Sequence, residues 1–154
     1  MSTPSERLAA LGLTLPPVAP PQAAYVPAVR TGNHVYVSGQ LPFVDGKLET
    51  TGKVGDTVSA EEAAALARLC ALNGLAAAAS VAGGLDAIRR IVKVTGFVAS
   101  APGFNGQPLV VNGASELLIE VFGEEGRHAR SAVGVVELPL GAPVEVELIA
   151  EVRD

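Results

Sequence analysis

Val144-Glu145-Val146-Glu147-Leu148-Ile149-Ala150-Glu151-Val152 decides the fold. Side chains alternate across a strand with a period of two, so Val144, Val146, Leu148, Ala150 and Val152 line one face and Glu145, Glu147 and Glu151 the other. The apolar face needs a layer of helices over it. Just upstream, Arg130 to Glu137 reads as another strand, with Val133 and Val135 on one face and Arg130, Ala132 and Gly134 on the opposite one. Leu138-Pro139-Leu140-Gly141-Ala142-Pro143 joins the two, and a hairpin through it would unite the two apolar faces under the helices. Arg130 would then share the helix-free face with the three glutamates. Arg130 and Glu145 fall near opposite ends of that hairpin, on the order of 20 Å apart at strand rise. A site that uses both must therefore be shared between subunits.

Working back toward the start, Leu109 to Glu125 carries Val110, Ala114, Leu117, Leu118, Val121 and Phe122 on one side of a helix, with Asn112-Gly113 weakening its first turns. Ile88 to Val98 is rich in β-branched residues and reads as a strand, and Ala99 to Pro108 as a loop. Ser59-Ala60-Glu61-Glu62 is a capping box that starts a long alanine-rich helix, with Leu66, Leu69, Cys70, Asn73 and Ala77 at helical spacing and Gly83-Gly84 as its stop. Tyr25 to Val29 and His34 to Ser38 flank Arg30-Thr31-Gly32-Asn33, two strands about a turn. The order strand, strand, helix, strand, helix, strand, strand implies an α+β sandwich, a mostly antiparallel sheet with two helices on one face. Residues 1–23 form an N-terminal extension, a short helix from Ser2 to Gly12 and a connector with Pro16, Pro17, Pro20 and Pro21; residues 24–154 form a single domain.

Composition narrows the function. The chain has 154 residues, 49% hydrophobic and only 18% charged. So little charge implies surface buried against further copies of the chain. A net charge of −5 with eleven Lys and Arg argues against a nucleic-acid partner, because phosphate binding needs clustered cations. No apolar run reads as a membrane span, the N-terminus lacks a signal-peptide layout, and one cysteine, Cys70, fits a reducing cytoplasm. There is no phosphate loop, no serine elbow and no Cys or His set at metal spacing, so no metal is expected. Arg127-His128-Ala129-Arg130 is the dense basic cluster. Arg127 and His128 read as a helix-ending turn where cations meet the dipole, and nothing in the sequence gives His128 a partner as a base. Arg130 reads either as an anion anchor or as the partner of a glutamate.

Tyr25-Val26, Gly32-Asn33, Val37-Ser38-Gly39-Gln40-Leu41-Pro42, Ala129-Arg130-Ser131-Ala132-Val133, Leu138-Pro139 and Val144-Glu145-Val146-Glu147, in this order, resemble the Rid family of reactive intermediate deaminases, also called the YjgF family. The resemblance runs from about Tyr25 to Val152. It implies a chorismate-mutase-like fold, a homotrimer with ligand clefts between subunits, and hydrolysis of enamines and imines to 2-keto acids and ammonia without metal or organic cofactor. By the same resemblance Arg130 grips a substrate carboxylate, Glu145 orients or activates water, and Tyr25, Ser38, Gly39 and Asn112 line the ligand. Glu145 is one of three glutamates on its face, so a solvated or structural role stands beside the catalytic one. Ala132 stands where the best-known branch of the family has a cysteine, which implies a different subfamily. A non-catalytic binder of a small carboxylated metabolite and an endoribonuclease-like protein are the alternatives.

Overall fold

The computed structural model describes residues 2–21 and 23–154. Ser59 caps α2 (Ala60–Ala82) through the reciprocal bonds that its sequence implies: Glu62 N–H donates to Ser59 Oγ at 3.1 Å, and Ser59 N–H donates to Glu62 Oε1 at 3.2 Å. Gly83 ends the helix in the left-handed region at φ 96°, where a glycine costs least. Ser59→Ala is expected to cost about 1 kcal/mol in a urea melt; a change within error would show that the box contributes nothing.

Helix α2 is the one described helix long and apolar enough to cross a membrane, which amends the expectation that no run approaches such length. Its apolarity serves the core: Ala63, Ala67, Cys70, Ala71, Leu75, Ala77 and Ala78 are all fully buried. The small residues let it lie close over the sheet and against α3 (Gln107–Phe122). All six residues expected on the inner side of α3 are buried. That helix begins two residues earlier than its sequence pattern suggests and ends at Phe122, followed by a 3-10 turn over Gly123–Gly126. A shorter helix, α1 (Pro4–Ala10), packs against α3, and Ser5 donates through its N–H and Oγ to Asp86 at 2.8 and 2.6 Å.

Among the described residues five strands form one sheet: β1 (Ala28–Thr31), β2 (His34–Gln40), β3 (Ile88–Ala99), β4 (Ala129–Val135) and β5 (Val144–Val152), in the order β1-β2-β5-β3-β4. Three of the four pairings are antiparallel; β3 and β4 are parallel, a pairing that needs the crossover made by α3. The α+β class with helices on one face is therefore observed.

The hairpin expected between the last two strands is not. β5 lies between β2 and β3, while β4 sits at the sheet edge beside β3. Alternation in β5 does fix its buried face, since Val144, Val146, Leu148, Ala150 and Val152 are all buried. Alternation carries no information about which strand lies alongside. The consequence for β4 is a reversal of face. Arg130 stands next to Val94, a fully buried residue, so it lies on the helix side; Val133 stands next to Phe97 on the helix-free side and is 43% exposed.

Candidate functional site

Two separate groups of polar residues occupy the positions that the sequence singles out. The first lies at the β4 edge. Arg130 comes off β4 toward α3, where Nη1 donates to Asn112 Oδ1 at 2.8 Å and to Ser115 Oγ at 3.3 Å, and Nη2 donates to the Pro108 carbonyl at 3.4 Å. Pro108, Asn112 and Ser115 are spaced by four and three residues, so one face of α3 supplies all three acceptors. Nε–H and the second Nη2–H have no acceptor among the described residues, which leaves a two-pronged edge matched to a planar carboxylate. No carboxylate neutralises Arg130 among the described ion pairs. The glutamate partner considered from the sequence is thus replaced by an asparagine, a serine and a carbonyl.

His128 precedes Arg130 by two residues and turns to the same side. Its Nδ1 lies 2.6 Å from the Gly126 carbonyl and its Nε2 lies 2.8 Å from Ser115 Oγ. Burial pushes its pKa below the ordinary imidazole value; the Gly126 bond opposes that shift, and the Arg130 charge adds to it. The helix-ending turn is instead occupied by Arg127, paired with Glu124 at 3.2 Å. Neither Ser115 nor His128 stands out as a pair in the sequence, thirteen residues apart. The available signal was strand parity, which puts His128 and Arg130 on one face.

The second group lies around the end of β2. The register between β2 and β5 slips between Val37 and Gln40, and Gly39 sits in that irregularity directly beneath Glu145. A Cβ on residue 39 would meet the Glu145 carboxylate and push that side chain aside, so the glycine leaves Glu145 room to lie close over the strand. Burial raises the Glu145 pKa above the usual carboxylate range, and the neighbouring Glu147 charge raises it further. Ser38 turns its hydroxyl to the backbone, donating to the Val26 carbonyl at 2.6 Å, so it braces the strand. Tyr25, 44% exposed, lines a cavity of about 300 Å³ with Pro20, Gly39, Gln40, Phe43 and Pro139. No group of three or more His, Cys, Asp or Glu side chains able to hold a metal occurs among the described residues.

The two groups do not meet within one subunit. Arg130 aligns with Val94 and Glu145 with Phe97 across β3. Three residues of rise and two strand spacings put their Cα atoms about 14 Å apart, and their side chains leave opposite faces of the sheet. The expectation that Arg130 shares the helix-free face with the glutamates is therefore corrected.

The family model described as "YjgF/chorismate_mutase-like, putative endoribonuclease" matches residues 5–152. The chain is 46% identical to Protein TCP17 of Trypanosoma cruzi, over 94% of this chain and 91% of that protein. It is 32% identical to a 2-iminobutanoate/2-iminopropanoate deaminase of Dermatophagoides farinae, over 89% of this chain and 93% of that one. The crystal structure of Atu1372, a protein of unknown function from Agrobacterium tumefaciens, superposes with a TM-score of 0.88 at 51% identity, covering 97% of this chain and 92% of the other.

Proposed function

We propose, because the chain belongs to the YjgF/chorismate-mutase-like family, that it hydrolyses small 2-imino acids and their enamine tautomers to 2-keto acids and ammonia. The observation that carries the reading is Arg130: a guanidinium held by neutral acceptors, with an edge turned outward. A bound imino acid puts its carboxylate on that edge. The imine carbon is already electrophilic, so catalysis needs positioning and a water. Glu145 takes a proton from that water as the water oxygen bonds to the imine carbon, and hands it to the nitrogen, giving a carbinolamine. The carbinolamine then collapses: Glu145 carries the hydroxyl proton to the nitrogen, the C–N bond breaks, ammonia leaves, and the carbonyl forms. No metal or organic cofactor enters these steps. The deaminase name of the Dermatophagoides relative supports the reaction class.

The distance between the two groups supports a cleft between copies of the chain, in a homotrimer, with Arg130 and Asn112 from one subunit and Glu145, Gly39 and Tyr25 from the next. The helix-free face favours such assembly, since Val29, Tyr36 and Val133 are 51%, 46% and 43% exposed on it. Its compartment in this reading is a reducing cytoplasm, where the buried Cys70 stays a thiol.

The test generates 2-aminoacrylate with an amino-acid dehydratase and times its loss with and without the protein. Acceleration is expected. 2-keto acid binding without acceleration would leave the binder reading, and neither would end both. Mixing Arg130→Ala and Glu145→Gln subunits, each inactive alone, should restore about a quarter of the sites if each site draws on two subunits. No restoration would place the site within one subunit.

A pH dependence follows from Glu145. As the general base it must be ionised, so activity falls as pH falls through its raised pKa, above the ordinary carboxylate value of about 4.3. An acid limb at or below the ordinary value, or one that survives in Glu145→Gln, would remove Glu145 from the base role.

A further inference from the structure

The carbonyl oxygen of Gly126 can only accept, so the His128 nitrogen 2.6 Å from it, Nδ1, must carry a hydrogen. A neutral ring then has a bare Nε2. That nitrogen accepts, and the Ser115 hydroxyl 2.8 Å away must donate to it. With its hydrogen committed, Ser115 Oγ offers lone pairs alone, and Arg130 Nη1 donates to them at 3.3 Å. Every bond in the series Arg130 to Ser115 to His128 to Gly126 thus has one allowed direction. Ser115 is 9% exposed, so water cannot readily replace either partner.

From this we propose that Ser115 and His128 are positioning residues for Arg130, a one-way hydrogen-bond relay that fixes the rotation of the guanidinium and so aims its free edge. The proposal rests on the reading of Arg130 as the carboxylate anchor.

The relay needs a neutral imidazole. A protonated Nε2 would become a second donor to Ser115 Oγ, leaving the hydroxyl hydrogen without its acceptor and turning it toward the guanidinium. The surroundings favour neutrality. Burial disfavours the charged ring, and the Arg130 charge facing it from β4 does the same. The nearby carboxylates of the 3-10 turn are engaged elsewhere, Glu124 with Arg127 and Glu125 with Arg90, which from β3 also donates to the Arg127 carbonyl. From α3 the ring meets the neutral Ser115.

The experiment uses the full chain and 2-oxobutanoate, a stable 2-keto acid, titrated calorimetrically at pH 7.5 beside turnover measurements. Ser115→Ala and His128→Ala should each weaken binding and raise KM about tenfold, one oriented hydrogen bond's worth, with kcat nearly unchanged. His128→Gln, whose Oε1 can accept where Nε2 did, should stay within about threefold of the wild type. Circular dichroism and sedimentation check that each variant keeps its fold and assembly. Variants that lose stability but bind as the wild type does would overturn the proposal, because the pair would then merely tie β4 to α3. If the wild type binds no 2-oxobutanoate, or Arg130→Ala binds it equally well, the anchor reading itself fails. A separate readout then still judges the relay: nitrogen-15 NMR should find His128 neutral with its hydrogen on Nδ1. A hydrogen on Nε2 at that pH overturns it.

Discussion

Arg130→Ala is expected to lower kcat/KM for imine hydrolysis by about a hundredfold or more, and to weaken 2-keto acid binding in step, roughly 3 kcal/mol. The size comes from two losses that coincide. The substrate carboxylate loses a charge-assisted, two-pronged partner, and Asn112 Oδ1 and Ser115 Oγ lose the donor that satisfied them. Arg130→Lys separates charge from shape. A lysine restores the cation but has no planar fork, so partial recovery, well short of the wild type, is expected. Full recovery in the lysine variant would mean that charge alone holds the ligand. Unchanged kcat/KM in the alanine variant would remove Arg130 from the site.

Gly113→Ala should destabilise the fold by about 3 kcal/mol net and lower Tm by roughly 10 °C. On an isolated helix the same change would stabilise, because alanine is the better helix former by about 1 kcal/mol. Here a Cβ on residue 113 would meet the backbone carbonyl of Ala64 in α2. Backbone cannot rotate aside as a side chain can, so the two helices must separate along their contact. Gly74→Ala is the comparison. Its Cβ would lie 3.2 Å from Leu148 Cδ2, the movable end of a side chain, and the effect should be near zero. A Gly113→Ala protein that melts with the wild type would show that the helices are not packed so closely. The variant also bears on the site, since Asn112 and Ser115 flank residue 113 and hold Arg130.

Much of this was legible in the residues. The capping box at Ser59, the inner face of α3 and the buried face of β5 are local patterns, set by neighbours within a turn or two. Strand adjacency is not local, and there the reading failed. Pro139 and Gly141 suit a hairpin as well as they suit a chain stepping past β3 to the far side of it. With the wrong neighbour came the wrong face for Arg130. The weakness of the Asn112-Gly113 turn has its reason only in three dimensions, in the carbonyl of Ala64. His128 lay beyond reach for a similar cause: its partner is on α3, thirteen residues back, and a serine inside a helix announces nothing. The resemblance to a known family carried the residue roles that spacing could not.

The position of β5 has a bearing on how the molecule is made. The strand at the heart of the sheet is synthesised after the other four, and it pairs with β2 on one side and β3 on the other. Until residues 144–152 leave the ribosome, β2 and β3 each present a bare row of backbone donors and acceptors. Such long-range closure is slow, and the waiting edges can pair with other chains. Until β5 emerges, α1, α2 and α3 are already made while β2 and β3 still lack the strand that joins them.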